Sequence, residues 1–230
     1  MKKNNIKSTQ FSHQQAMSLQ VLFEDNHLIA VVKEPGQTVQ PESGKPKSLE
    51  DEVKLYIKEK YNKPGDVFLG VIHRLDMPVS GIVLFARTSK ALTRMNELFK
   101  NRKVDKIYEA KVEGKPLQEI DTLTHFLVRD EIKNITKAHI KPIPNSEKAT
   151  LSFEVKYVNN SNSILRIKLL TGRKHQIRAQ LGAIKCPIIG DVKYGASKRL
   201  DDKSIALTAV ELSFEHPVTN APIKITYQAR

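Results

Sequence analysis

Apolar positions along the chain recur with two different spacings, and each change of spacing marks a new element. Residues 19–24 and 28–33 are short apolar runs separated by Asp25-Asn26, a turn-favouring pair, and predict two strands. Pro35-Gly36 breaks the second, and residues 37–47, with Pro41, Gly44 and Pro46, predict a loop. From 48 to 61 the spacing is helical: Leu49, Val53, Tyr56 and Ile57 share a side, Ser48 and Asp51 form a capping-box-like start, and Lys63-Pro64-Gly65 ends it. Residues 67–72 and 81–87 are strongly apolar strand candidates, with a charged turn, residues 73–80, between them.

The second half continues in pairs. Residues 89–100 predict a helix with Leu92, Met95, Leu98 and Phe99 on one side, and residues 106–113 predict a strand. Strand pairs follow at 122–128 with 137–143, and at 150–158 with 163–170, the latter joined through Asn159-Asn160. A third helix at 174–184 places Ile177, Leu181 and Ile184 on one face, and final strands come at 205–214 and 222–227. No internal repeat, low-complexity tract or linker composition interrupts the chain. The expectation is a flexible polar arm over residues 1–18 and one α+β domain over 19–230. Hairpin connections argue for a mainly antiparallel sheet with flanking helices and against a doubly wound parallel one.

Composition narrows the partner. The 230 residues are 40% hydrophobic and 27% charged, a soluble globular balance, and carry a net charge of +13 with a pI near 9.7. Residues 1–66 hold ten Lys/Arg and nine Asp/Glu, whereas residues 67–230 hold 28 and 16, so the surplus belongs to the folded body. Such a balance points to a polyanion, with nucleic acid the leading class. Cys186 is the only cysteine, which excludes an internal disulfide and a cysteine-based zinc site and fits a reducing compartment. No apolar run approaches the roughly 20 residues that span a bilayer, and residues 1–20 lack the apolar block of a secretory signal. A cytoplasmic protein without membrane contact is expected.

The usual nucleotide, zinc-protease and serine-hydrolase signatures are absent, and the seven histidines are scattered without ligand spacing, so no metal is expected. Three segments remain. His73-Arg74-Leu75-Asp76-Met77-Pro78-Val79-Ser80-Gly81 puts Arg74 and Asp76 two residues apart, where extended chain directs both to one side; a local ion pair explains this as readily as a shared cavity. Thr171-Gly172-Arg173-Lys174-His175-Gln176-Ile177-Arg178 passes from a strand through a glycine turn into a helix with a basic start suited to phosphate. Within it Arg178 adjoins the apolar face, and a buried guanidinium there requires a carboxylate partner. In the strand 106–113, Lys106, Tyr108, Ala110 and Val112 share a face, and Tyr108 is either an aromatic platform or simply core.

In this order the segments resemble the RluA-type pseudouridine synthases over about residues 19–227. The HRLD box, the K-x-Y strand and T-G-R-x-H-Q-I-R carry the resemblance, with Gly190-Asp191-Val192-Lys193-Tyr194-Gly195 and Leu212-Ser213-Phe214-Glu215-His216-Pro217. It implies a single catalytic domain on a mixed sheet that isomerises uridine in ribosomal or transfer RNA without metal or organic cofactor. It further implies Asp76 as catalytic aspartate, Tyr108 as base-stacking tyrosine and Arg178 as the buried arginine paired with Asp76, available as nucleophile or as base. Arg74 would contact RNA near the extruded nucleotide, and His73 and His175 fall with the RNA-binding residues. Leu75 and Ile177 would wall the pocket against water. The family's frequent N-terminal S4-like module has no counterpart here, so the domain itself would grip RNA through Arg102, Lys103, Arg173, Lys174, Lys198 and Arg199, acting as a monomer. Two features depart from the family pattern: Pro78-Val79, where polar residues are common, and Glu34, which interrupts the usual Lys-Pro. The alternatives are a catalytically silent RNA-binding or ribosome-assembly factor of the same fold, and a glycosidase whose intermediate meets water.

Overall fold

The two apolar runs after residue 19 pair antiparallel as β1 (Val21–Glu24) and β2 (Leu28–Lys33) in the computed structural model, which describes residues 19–228. Asp25 makes their turn, its Oδ1 accepting the N–H groups of His27 and Leu28. The polar arm, residues 1–18, lies outside the described residues. Helix α1 (Leu49–Lys60) starts at a complete capping box, in which Ser48 Oγ accepts Asp51 N–H and the Asp51 carboxylate accepts Ser48 N–H. After it come β3 (Gly70–Val71), β4 (Ser80–Ala86), α2 (Ser89–Lys100), β5 (Asp105–Glu113), β6 (Ile120–Asp130), β7 (Ile135–His139), β8 (Glu147–Val158) and β9 (Asn162–Leu169). The eight-residue helix α3 (Gln176–Ala183), a 3-10 turn (Val192–Tyr194), β10 (Leu207–Glu215) and β11 (Pro222–Thr226) complete the chain.

The described strands form one sheet in the order β1-β2-β4-β10-β5-β9-β8-β6-β7, with β3 on β4 and β11 on β10. Only β10 and β4 run parallel, so the sheet is mixed and mainly antiparallel. Both faces of its centre are covered. Ile29, Val31, Val83 and Phe85 join Val53 and Ile57 of α1 and Ile177 and Leu181 of α3 on one side. Leu28, Ala30, Ile82 and Leu84 join Ala91 and Met95 of α2 on the other. Two-sided burial is why β2 and β4 read as unbroken apolar runs, whereas β5, β8 and β9 alternate.

Two elements are shorter than the pattern predicts. Of residues 67–72 only Gly70–Val71 pair, because the next N–H along β4, that of Leu84, donates to the His73 side chain, which replaces a strand partner. Residues 140–143 leave β7 unpaired, since Pro142 and Pro144 bring no N–H to a ladder.

The register places Gly81 of β4 against Ala209 of β10, and Ala209 against Tyr108 of β5. Tyr108 therefore lies one strand removed from the point where the 73–80 turn enters β4. Gly81 has φ +113°, and a β-carbon there would fall on the backbone of Ala209. Replacing it with alanine is expected to cost on the order of 3 kcal/mol from backbone strain and overlap. Chemical denaturation checks this, and a loss below about 0.5 kcal/mol, the range of an ordinary surface change, contradicts the packing described.

Candidate active site

The turn bearing Asp76 is anchored from beneath. Lys33, at the end of β2, is fully buried, and its Nζ donates to the carbonyls of Glu34 (2.9 Å), Gln37 (2.9 Å) and Met77 (3.0 Å). Burial is the main force on this ammonium and draws its pKa down to about 8, with Asp76 and Glu34 partly opposing. Met77 O also accepts Gly36 N–H, and Asp76 O accepts Val79 N–H, so Met77 is tied to the end of β2 and the loop after it, and Asp76 to its own turn. The two departures from the family pattern fit without disturbing this. Glu34 gives its carbonyl to Lys33 while its exposed side chain acts on that ammonium only through its charge, and Val79 packs into the core.

Asp76 meets Arg178 from α3. Arg178 Nη1 donates to Asp76 Oδ2 at 3.2 Å, while Nε and Nη2 donate to the two carboxylate oxygens of Asp191 at 2.7 and 2.8 Å. The Arg178 and Asp191 side chains are 7% and 2% exposed, against 26% for Asp76. Burial opposes the charge on Arg178, but the hydrogen bonds and charge of Asp191, and then those of Asp76, outweigh it and raise its pKa. The carboxylate that a buried Arg178 requires is thus chiefly Asp191, a residue the sequence marked only as part of a motif. Asp76 is the second, more exposed partner.

Tyr108 is buried, its phenol pushed up by burial and then by the charge of Asp76. Leu75, Val79, Ile177, Ile205 and Ala209 belong to the same apolar cluster. His175 precedes α3 and is also buried, with Nδ1 2.8 Å from Tyr194 Oη and Nε2 3.6 Å from Asp76 Oδ2.

The structure thus brings Asp76, Arg178, Tyr108 and His175 together, and separates other expected residues from them. Arg74 is exposed and extends to Gln40 (3.4 Å) rather than pairing with Asp76. His73 is turned to the sheet: Nε2 accepts Leu84 N–H at 3.1 Å, the ring stacks on Phe99, and burial followed by Lys106 draws its pKa to about 4. Arg102, Lys103, Arg173, Lys174, Lys198 and Arg199 are all exposed, Arg173 with Glu147 at 2.6 Å. Lys33, Asp191 and Tyr194 were missed as site residues. Lys106 was noted only for its face; its Nζ lies 5.7 Å from the Phe99 ring, beside His73. Among the described residues no group of three or more His, Cys, Asp or Glu is arranged to hold a metal, and no helix is long and apolar enough to cross a membrane.

A buried arginine holding a carboxylate beside a buried tyrosine is an arrangement able to do acid–base or nucleophilic work. Residues 27–183 match the family described as RNA pseudouridylate synthase, and the chain belongs to that family. It is 30% identical over 203 residues to the dual-specificity RNA pseudouridine synthase RluA of Vibrio vulnificus, covering 86% of this chain and 78% of that one. It is 30% identical over 225 residues to the ribosomal large subunit pseudouridine synthase D of Xanthomonas campestris pv. campestris, covering 91% and 66%. The chain spans about two thirds of the length of several curated relatives. Human RNA pseudouridylate synthase domain containing 4 has the same fold, with a TM-score of 0.79 at 20% identity over 98% of this chain and 93% of its own.

The two carboxylates around Arg178 are unequal in a way that stability measurements expose. Asp191→Ala leaves a buried guanidinium with one partial partner and is expected to cost roughly 3–5 kcal/mol. Asp76→Ala, which leaves the Asp191 pair intact, is expected to cost clearly less. Equal losses in urea denaturation, or a larger one for Asp76→Ala, contradict the assignment.

Proposed function

We propose that the protein isomerises specific uridines of ribosomal or transfer RNA to pseudouridine, with Asp76 as the catalytic carboxylate. The observation that carries the reading is the placement of Asp76, held at Oδ2 by Arg178 next to the buried Tyr108. No described residue is hydrogen-bonded to Asp76 Oδ1, which leaves that oxygen for the ribose. The names of relatives that act on the ribosomal large subunit, or with dual specificity, support the substrate class.

The target uridine leaves its stack, at a cost that the face of Tyr108 offsets in part. The bond from N1 to C1′ breaks, the uracil turns while it is held, and C5 bonds to C1′. The proton on C5 leaves and N1 regains one, so no redox partner is needed. Leu75, Ile177 and the cluster around them exclude the water that would intercept the intermediate. We place the protein in a reducing cytoplasm, acting as a monomer; that compartment suits both the RNA substrate and the free, buried Cys186.

Incubation with cellular RNA tritiated at C5 of uridine tests this. Release of label without free uracil is expected from the intact protein, and a loss of roughly 10⁴-fold or more from Asp76→Ala. Release accompanied by free uracil identifies a glycosidase, and no release from a broad RNA pool identifies a silent binder. The exposed basic residues answer to a separate measurement. Replacing Arg102 and Lys103 with alanine is expected to lower RNA affinity and reduce the salt slope of binding by about 0.7–0.9 for each phosphate no longer neutralised, with kcat little changed. An unchanged slope removes them from the interface.

A further inference from the structure

His175 stands between a phenol and the reactive carboxylate, and these two neighbours decide where its proton lies. Its backbone is left-handed (φ 54°), a conformation that costs a residue with a β-carbon about 1 kcal/mol or more and persists where the surroundings impose it. Here one ring nitrogen is hydrogen-bonded and the other faces a carboxylate. Nδ1 lies 2.8 Å from Tyr194 Oη, and Nε2 lies 3.6 Å from Asp76 Oδ2. Tyr194 is itself fixed: Oη accepts the backbone N–H of Thr136 in β7 at 2.8 Å, and the Arg178 guanidinium lies 4.9 Å from its ring.

The imidazole is neutral at physiological pH. Burial is the chief cause, drawing its pKa to about 4; Asp76 opposes the shift, while Arg178, Lys174 and Lys193 add to it. A neutral ring carries one proton, on either nitrogen. With the proton on Nδ1, the lone pair of Nε2 would face a carboxylate oxygen. With the proton on Nε2, the carboxylate meets a donor, and Nδ1 is free to accept the phenol proton of Tyr194.

We infer that His175 is a positioning residue, held as its Nε2–H tautomer by Tyr194 and donating to Asp76 Oδ2 in the substrate complex. The inference rests on the reading of Asp76 as the reactive carboxylate. At 3.6 Å the donor is a few tenths of an ångström beyond hydrogen-bond length, a gap of the kind that closes when substrate fills a site. Oδ2 is then fixed from two directions, by the cationic Arg178 and the uncharged His175, and Oδ1 alone is presented to the sugar. On this inference the buried His175, placed among the RNA-binding residues by its sequence position, acts on the carboxylate inside the site.

Two measurements on the full-length protein test this. Histidine ¹⁵N–¹H NMR, with the His175 resonances identified by their absence in His175→Gln, is expected to show the Nε2–H tautomer at neutral pH. The Nδ1–H tautomer overturns the inference whether or not the protein proves active. In the tritium-release assay, His175→Leu is expected to lower kcat roughly 100-fold with KM for RNA unchanged. His175→Gln, whose amide N–H can stand in for Nε2–H, is expected to recover most of that loss. An unchanged kcat, a rise in KM alone, or no recovery by glutamine overturns the inference while leaving Asp76 untouched. An inactive wild-type protein instead removes the reading of Asp76.

Discussion

One guanidinium joins three parts of the chain, and the site depends on it. Arg178 enters from α3, Asp191 comes 13 residues later, and Asp76 comes 102 residues earlier on a turn between two strands. A charge this deeply buried is tolerable only if it is fully paired. Asp191 takes two of its nitrogens in a fork, the geometry that best fits a carboxylate, so the position of Arg178 is set without Asp76. That division leaves Asp76 free to change charge or partner without stranding a buried cation. A site in which Asp76 were the only counterion could not let it attack a sugar or take up a proton without exposing the arginine to that penalty.

The sheet does the corresponding work for distance. Gly81, Ala209 and Tyr108 lie in one row across β4, β10 and β5, and the two small residues leave the phenol ring as the bulk of that row. From the other side Lys33 ties Met77, next to Asp76, to β2 through its carbonyl, and holds the carbonyls of Glu34 and Gln37 with the same ammonium. The turn is therefore positioned by elements on both of its flanks. This is the arrangement expected where a reactive group must sit on a loop yet hold its place to within a fraction of an ångström.

How far the sequence reveals this depends on whether a feature is local. The capping box at Ser48, the Asp25 and Asn159 turns and the two-sided apolar runs of β2 and β4 are settled within a few residues, and all were legible. The need of Arg178 for a carboxylate was legible too, because burial of an arginine makes that demand whatever its partner. The resemblance implied Asp76 as that partner, and it is one; the other, Asp191, was not legible, since it reaches Arg178 only after α3 ends and the chain turns back. Lys33 read as the polar last residue of a strand, and nothing nearby marks it as buried. His175 shows the same limit: basic neighbours at a helix start predict a surface contact, but a left-handed backbone turns this one side chain inward. The shortness of β3 arises when a side chain, His73, takes the place of a backbone partner, which no periodicity records.

The cations of this protein fall into two sets that do not compete. Arg178 is engaged by two carboxylates and Lys33 by three carbonyls, and both are buried, so neither is open to a phosphate. The exposed set includes Lys174, Lys198 and Arg199, whose field is screened by salt within about 10 Å and which, on the proposed function, draw the RNA. Even Arg173, engaged with Glu147 on the surface, holds a pair worth so little that a phosphate can displace the carboxylate. Were Arg178 accessible, the phosphates of RNA would contend with Asp76 for it, and binding would loosen the group that chemistry needs fixed. On the proposed function, burial of the inner cations behind their own acceptors lets RNA bind through one set of charges while the carboxylate is held by another.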